Sequence, residues 1–76
     1  MPLINVKAIE NVLSDAQKKE IAERITDTFA EVVGEPVRDV TWVIIEEVRS
    51  GDYVIGGRPL TTGAVLEMLG TVPATA

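Results

Sequence analysis

The apolar run Trp42-Val43-Ile44-Ile45 constrains the fold of this 76-residue chain more than any other feature. The segment around it, Thr41–Val48, is rich in β-branched residues and is typical of a strand buried on both faces. Trp42 and Ile44 would point to one face of that strand, and Val43 and Ile45 to the other. Both faces of the strand therefore need an apolar cover.

A second strand and a long helix precede this run. Residues 2–8 alternate between apolar and polar side chains, which predicts a strand with one apolar face. Ser14 and Gln17 have the spacing of a capping box, and an apolar stripe that would face a core predicts a helix from about Asp15 to Val33. The stripe consists of Ile21, Ile25, Phe29, Val32 and Val33. Gly34 suits the left-handed position that follows a helix.

A strand, a long helix and a second strand in this order predict a β-α-β unit with parallel strands and a right-handed crossover. One helix can cover only one face of the resulting sheet. Because both faces of the segment Thr41–Val48 are apolar, we expect another copy of the chain to cover the second face. The sequence thus predicts a homo-oligomer.

The C-terminal third of the chain contains short elements separated by glycines. Ser50-Gly51-Asp52 and Gly56-Gly57 predict tight turns around a short strand or hairpin. A short helix over Ala64–Leu69 is expected to follow, with Thr61 or Thr62 as its N-cap.

The length of the chain leaves room for one domain, which we expect to span residues 1–76 with a frayed end at 71–76. A domain this small is marginally stable alone and is usually reinforced by disulfides, a metal or oligomerisation. The sequence contains no cysteine and no histidine, which excludes disulfides and thiolate metal sites. Oligomerisation is the reinforcement that remains.

Charge and hydropathy argue against two classes of partner. The net charge is −5 and the seven cationic residues are scattered, which argues against a nucleic-acid-binding surface. No apolar run approaches the roughly 20 residues of a membrane span. The N-terminus lacks the basic region and apolar core of a signal peptide, so we expect a cytoplasmic location.

With this composition, the amino terminus is the main candidate for a catalytic group. Without cysteine and histidine, Cys–His and Ser–His nucleophiles are excluded. Glu46 and Glu47 are adjacent on a strand and would point to opposite faces, so they cannot share a proton. If Met1 is removed, Pro2 carries a free secondary amine, and a neutral amine near pH 7 is a usable general base. The alternative is that a proline in second place has no chemical role.

Five features occur together, in a specific order, over residues 2–60. They are Pro2 opening a strand, the helix start Ser14-Asp15-Ala16-Gln17-Lys18, the turn Gly34-Glu35-Pro36, an apolar strand ending in Glu46-Glu47-Val48, and the turn Tyr53-Val54-Ile55-Gly56-Gly57. This arrangement resembles the tautomerase superfamily, and in particular its small 4-oxalocrotonate tautomerase group.

The resemblance implies an α+β fold in which a β-α-β unit with parallel strands is followed by a C-terminal β-hairpin. It implies pairing of subunits through their sheets, with a hexamer as the usual assembly and a dimer or trimer as alternatives. It also implies catalysis by Pro2, which would move a proton between carbon and oxygen positions of a small enol or unsaturated keto acid. No cofactor and no metal would be needed.

The chain departs from the family at two positions that bind substrate carboxylates. The family places one arginine just before the helix cap, where this chain has Val12-Leu13, and another early in the second strand, at Thr41 or Trp42. Trp42 would line an apolar pocket or pack in a subunit interface. The family's active-site aromatic is matched by Tyr53, which would donate a hydrogen bond to an enolate oxygen or serve only in packing.

Three arginines of this chain are candidates to replace the missing ones. Arg58 directly follows Gly56-Gly57, and the turn would carry it toward a neighbouring subunit's Pro2. Arg49 precedes the Tyr53 turn, and Arg38 lies in the predicted loop before the second strand; each of the three could instead be a surface charge. We regard Arg58 as the first candidate.

Two classes of function remain open at this point. The first is an isomerase that tautomerises a monocarboxylate or an aryl enol such as phenylenolpyruvate. A related enzyme would use a protonated Pro2 to hydrate or dehalogenate an unsaturated acid. The second class is a non-catalytic oligomeric scaffold of the same fold. A Pro2→Ala substitution separates the two classes.

Overall fold

The computed structural model describes residues 2–70 and shows a β-α-β arrangement followed by a hairpin and a short helix. The elements are β1 (Leu3–Ile9), α1 (Asp15–Val33), a 3₁₀ helix (Glu35–Val40), β2 (Trp42–Val48), β3 (Tyr53–Ile55), β4 (Arg58–Leu60) and α2 (Thr62–Met68). β1 pairs with β2 in parallel, and β3 pairs with β4 antiparallel in a second sheet. The predicted fold class is confirmed.

Helix α1 has the predicted bounds and the predicted cap. The side chain of Ser14 accepts a hydrogen bond from the amide of Gln17 at 3.1 Å, and the side chain of Gln17 accepts one from the amide of Ser14 at 2.8 Å. This reciprocal pair satisfies two amides that have no partner inside the helix. A short local motif therefore fixes where α1 begins.

The end of α1 differs in detail from the prediction. Gly34 has a positive φ of 138° but an extended ψ of 148°, so it leaves the helix through a glycine conformation other than the left-handed helical one. The following segment, Glu35–Val40, forms a 3₁₀ helix where the sequence predicted a loop. Pro36 fits the first turn of this helix because its fixed φ is compatible and its missing amide would have no partner there.

The strand pair has one half-buried face and one exposed face. Ile4, Val6, Val43 and Ile45 are half-buried. Of the predicted apolar stripe of α1, Ile21, Ile25 and Phe29 are half-buried as well, but Val32 and Val33 are exposed, because they lie in the last turn of the helix. The large apolar side chains on the opposite face are exposed, at 61% for Leu3, 65% for Trp42 and 40% for Ile44. The predicted division of Trp42 and Ile44 from Val43 and Ile45 is confirmed, and one apolar face is uncovered in the isolated chain.

The described residues form two compact units. One unit contains residues 2–7 and 13–46, and the other contains residues 8–12 and 47–70. The second unit holds the hairpin and α2, whose N-cap is Thr61, because its side chain accepts a hydrogen bond from the amide of Ala64 at 3.1 Å. The expected frayed end at 71–76 lies outside the described residues. None of the described helices combines the length and the apolarity needed to cross a membrane.

Candidate active site

Pro2 lies at the head of the parallel strand pair. It directly precedes β1, it is half-buried, and its carbonyl oxygen accepts a hydrogen bond from the amide of Trp42 at 2.9 Å. The bond fixes the backbone of Pro2 beside β2 and does not involve the ring nitrogen. The chain thus holds the backbone of its second residue in place at the end of the strand pair.

Trp42 is brought next to Pro2 by this same bond, although its indole lies on the exposed face of the sheet. The side chain is 65% exposed and shares the face with Leu3 and Ile44. Within the part of the chain that the structure describes, the indole therefore contributes little to the packing of a single subunit. This position agrees better with a contact to another molecule than with packing in the core of one subunit.

The hairpin brings Tyr53 and Arg58 onto one face. Its register pairs Tyr53 with Leu60 and Ile55 with Arg58, and directly opposed residues of an antiparallel pair share a face. Tyr53 and Arg58 are therefore diagonal neighbours, about 7–8 Å apart, which is within reach of long side chains. Both sequence-predicted residues are exposed.

Arg58 is available for a ligand as far as the described residues show. No ion pair of its guanidinium occurs among residues 2–70, and the side chain lines an open depression of about 580 Å³ on the hairpin. The other residues of this depression are Ile55, Gly56, Pro59 and Leu60. One cation in an otherwise apolar surface can hold one carboxylate group.

Arg38 is engaged elsewhere and does not replace a missing family arginine. Its guanidinium donates hydrogen bonds to Glu35 at 2.6 Å and to Asp27 at 2.5 Å. These bonds, the one to Glu35 first, raise the pKa of Arg38 above its ordinary value. Two carboxylates already neutralise this cation, so it has little attraction left for a substrate carboxylate.

The positions of the two missing arginines carry no charge in this chain. Val12 and Leu13 are half-buried apolar residues before the cap of α1. Thr41 is also half-buried, and its hydroxyl donates a hydrogen bond to the carbonyl of Val37 at 2.8 Å. None of these side chains can form a bidentate contact with a carboxylate.

The two adjacent glutamates of β2 bind different partners, as their alternation along the strand predicts. The carboxylate of Glu46 accepts a hydrogen bond from the side chain of Asn5, and that of Glu47 accepts one from the amide of Asn11 at 3.1 Å. They do not form a shared acid–base pair. Among the described residues, no three histidine, cysteine or acidic side chains are arranged to hold a metal ion.

A hydrogen-bond network around Glu10 was not found by sequence reasoning. Its carboxylate accepts from the amide of Ser50 at 2.7 Å, and its carbonyl accepts from the hydroxyl of Thr62 at 2.7 Å. The amide of Thr62 in turn donates to the hydroxyl of Ser50 at 2.9 Å. The sequence gives no local signal for this network, because its three members lie 40, 52 and 12 residues apart.

Comparison with known proteins places the chain in one family. A family model described as "Tautomerase enzyme" matches residues 2–63. A probable tautomerase from Bacillus cereus is 36% identical over 61 residues, which is 80% of this chain and 97% of the relative. The 2-hydroxymuconate tautomerase of Bacillus subtilis is 33% identical over 61 residues, covering 80% of this chain and 95% of that protein.

Solved structures agree with this assignment. DmpI from Helicobacter pylori superposes with a TM-score of 0.69 at 30% identity, over 78% of this chain and 95% of DmpI. TomN, described as a 4-oxalocrotonate tautomerase homologue in the tomaymycin biosynthetic pathway, gives a TM-score of 0.72 at 28% identity, over 88% of this chain and 95% of TomN. Since the family model spans most of the sequence and the fold is shared, this chain belongs to the tautomerase family and is an isomerase of the 4-oxalocrotonate tautomerase type.

Proposed function

We propose that the chain is a cofactor-independent tautomerase in which the ring nitrogen of Pro2, freed by removal of Met1, is the general base. The observation that carries this proposal is the position of Pro2, which is half-buried at the start of β1 and whose carbonyl is bound by the amide of Trp42 at 2.9 Å. A base must be held in place, which this bond supports, and it must have a free lone pair, which removal of Met1 would supply.

The proposed reaction is a proton transfer in two steps. The nitrogen of Pro2 removes a proton from a hydroxyl or from a carbon next to a carbonyl, and the electron pair of the broken bond delocalises over the enol or enolate. The protonated Pro2 then returns the proton at another position, so the base is regenerated. The hydroxyl of Tyr53 would donate a hydrogen bond to the enolate oxygen, and Arg58 would bind the carboxylate.

The residues at the missing arginine positions favour a substrate with one carboxylate. A hydrogen bond to a charged group contributes about 1.5–3 kcal/mol, so the loss of each bidentate arginine lowers affinity for a dicarboxylate by at least about tenfold. Val12 and Leu13 offer apolar contact instead, and Trp42 offers an aromatic face. A monocarboxylate or an aryl enol such as phenylenolpyruvate fits these side chains better than 2-hydroxymuconate.

The site is proposed to be completed in a homo-oligomer. The exposed apolar face formed by Leu3, Trp42 and Ile44 supports pairing of subunits through their sheets. A hexamer is the favoured assembly, with a dimer or trimer as alternatives, and a neighbouring subunit would bring Arg58 toward Pro2. The family model spans both compact units, which supports treating residues 1–76 as one domain. The cytoplasmic location expected from the sequence stays a prediction.

The test is the ketonisation of phenylenolpyruvate and of 2-hydroxymuconate, followed by absorbance, on wild type and on Pro2→Ala. General-base catalysis contributes about 10²–10⁴-fold, so Pro2→Ala should lose at least about 100-fold in kcat/KM. Pro36→Ala is the matched control, because this proline is exposed in the 3₁₀ helix, is not among the proposed site residues and should retain wild-type rates.

Two results would contradict the proposal. An intact mass that retains Met1 in full would make the nitrogen of Pro2 an amide, which has no usable lone pair. Equal rates for wild type and Pro2→Ala, both at the solvent background, would favour the non-catalytic scaffold. The absence of both family arginines is the observation that keeps the scaffold as the second candidate.

A further inference from the structure

The hairpin β3–β4 carries two of the proposed substrate-binding residues but has little support of its own. Each strand is three residues long, and every residue of the two strands except Leu60 is exposed. An isolated two-stranded hairpin is marginally stable in water at best. The orientation of Tyr53 and Arg58 therefore depends on what holds the ends of the hairpin.

The structure shows what holds them. Glu10, Ser50 and Thr62, which we call the Glu10 network, close a ring of three hydrogen bonds of 2.7, 2.9 and 2.7 Å. Ser50 precedes the hairpin and Thr62 follows it, so the ring binds both ends to the same residue. A backbone bond from the amide of Gly51 to the carbonyl of Leu60, 2.9 Å long, lies directly beside the ring.

We propose that the Glu10 network positions the hairpin, and through it Tyr53 and Arg58, for binding of the substrate carboxylate. None of its three members is proposed to touch the substrate, so they are positioning residues rather than catalytic ones. The expected effect on substrate binding rests on the proposed function, whereas the effect on the hairpin does not. The bonds that hold the hairpin can be measured without any substrate.

Thr62→Val is the sharpest perturbation, because valine keeps the shape of threonine and removes only the hydroxyl that binds the carbonyl of Glu10. The loss of one hydrogen bond changes an equilibrium constant by about 2–10-fold. We expect the KM for phenylenolpyruvate to rise by about this factor while kcat stays within about twofold, since carboxylate binding is lost and the base at Pro2 is not altered.

Two further variants separate positioning from general stability. Thr62→Ser keeps the hydroxyl and should restore the wild-type KM. Thr26→Val is the matched control, because Thr26 has similar burial and its hydroxyl donates to the carbonyl of Ala22 at 2.8 Å within α1. This control should leave KM unchanged. An equal rise of KM in Thr26→Val and Thr62→Val would overturn the proposal.

Hydrogen exchange gives the second readout and does not depend on catalysis. The amides of Gly51, of residues 53–58 and of Leu60 should exchange about 2–10-fold faster in Thr62→Val than in wild type, and at the wild-type rate in Thr26→Val. If Thr62→Val does not fold, Ser50→Ala removes only the acceptor for the amide of Thr62 and makes the same prediction.

The outcomes are distinguishable. Faster exchange with an unchanged KM would mean that the network is structural only and would overturn its positioning role. Unchanged exchange would show that the network does not hold the hairpin, which overturns the proposal at its first step. A wild type without activity on either enol would refute the proposed function, and the exchange data would still decide whether the network holds the hairpin.

Discussion

Replacement of Trp42 by alanine is expected to weaken self-association far more than it weakens the fold of one subunit. The indole is 65% exposed and lies on the apolar face that it shares with Leu3 and Ile44. Truncation of this side chain therefore removes few contacts within one subunit. In an assembly that covers this face, the same truncation removes a large apolar contact.

The size of the effect follows from the exposed fraction. A tryptophan side chain buries about 150–250 Å² when it is fully covered, so its 65% exposure leaves roughly 100–160 Å² for a partner. At about 25 cal/mol per Å², that area is equivalent to about 2.5–4 kcal/mol for each indole that becomes covered. We therefore expect the association constant to fall by about 100-fold or more in Trp42→Ala.

Sedimentation equilibrium over a range of protein concentrations measures this constant. Val32→Ala is the control, because Val32 is 79% exposed on α1 and does not belong to the exposed sheet face. Trp42 is also the single tryptophan of the chain, so its emission in wild type should move to longer wavelength when dilution dissociates the assembly. An unchanged constant in Trp42→Ala, or an equal loss in Val32→Ala, would refute the reasoning.

Substitutions at two further positions test local features by urea denaturation. Ser14→Ala should lower the free energy of unfolding by about 1 kcal/mol, because it removes the acceptor for the amide of Gln17; no measurable loss would show that the cap does not stabilise α1. Asn11 has a φ of 62°, so Asn11→Ala should cost about 1 kcal/mol while Asn11→Gly should be near neutral. The bond to Glu47 uses the backbone amide of Asn11 and survives in both variants, so equal losses would refute the backbone explanation.

The parts of the fold that sequence reasoning predicted are those with local signals. The capping box at Ser14 and Gln17 and the apolar stripe of α1 are read within a few residues, and the bounds of the helix were predicted correctly. The parallel pairing of β1 and β2 followed from the order of strand, helix and strand. The 3₁₀ helix over Glu35–Val40 was missed, because a proline after a glycine indicates the end of a helix and does not distinguish a loop from a tight turn of helix.

The candidate site shows the same difference between features with a local sequence signal and features without one. Pro2, Tyr53 and Arg58 were predicted as site residues from the sequence and stay predictions, and only the hairpin register shows that Tyr53 and Arg58 share a face. The Glu10 network was invisible to sequence reasoning, because hydrogen bonds between residues 40 and 52 positions apart leave no periodic pattern. Side-chain contacts across long separations depend on the completed fold, and a periodic pattern reports only local structure and burial.

The position of Trp42 beside Pro2 would link the proposed assembly to the proposed chemistry. The amide that binds the carbonyl of Pro2 belongs to Trp42, the residue with the most exposed side chain of the three on the uncovered sheet face. A subunit that covers this face excludes water from the strand ends beside Pro2, and charge interactions strengthen where water is excluded. Neither Thr41 nor Trp42, the two residues that could correspond to the second family arginine, would bind a second substrate carboxylate as an arginine does. Trp42 would in addition extend the apolar surface through which the subunits would pair.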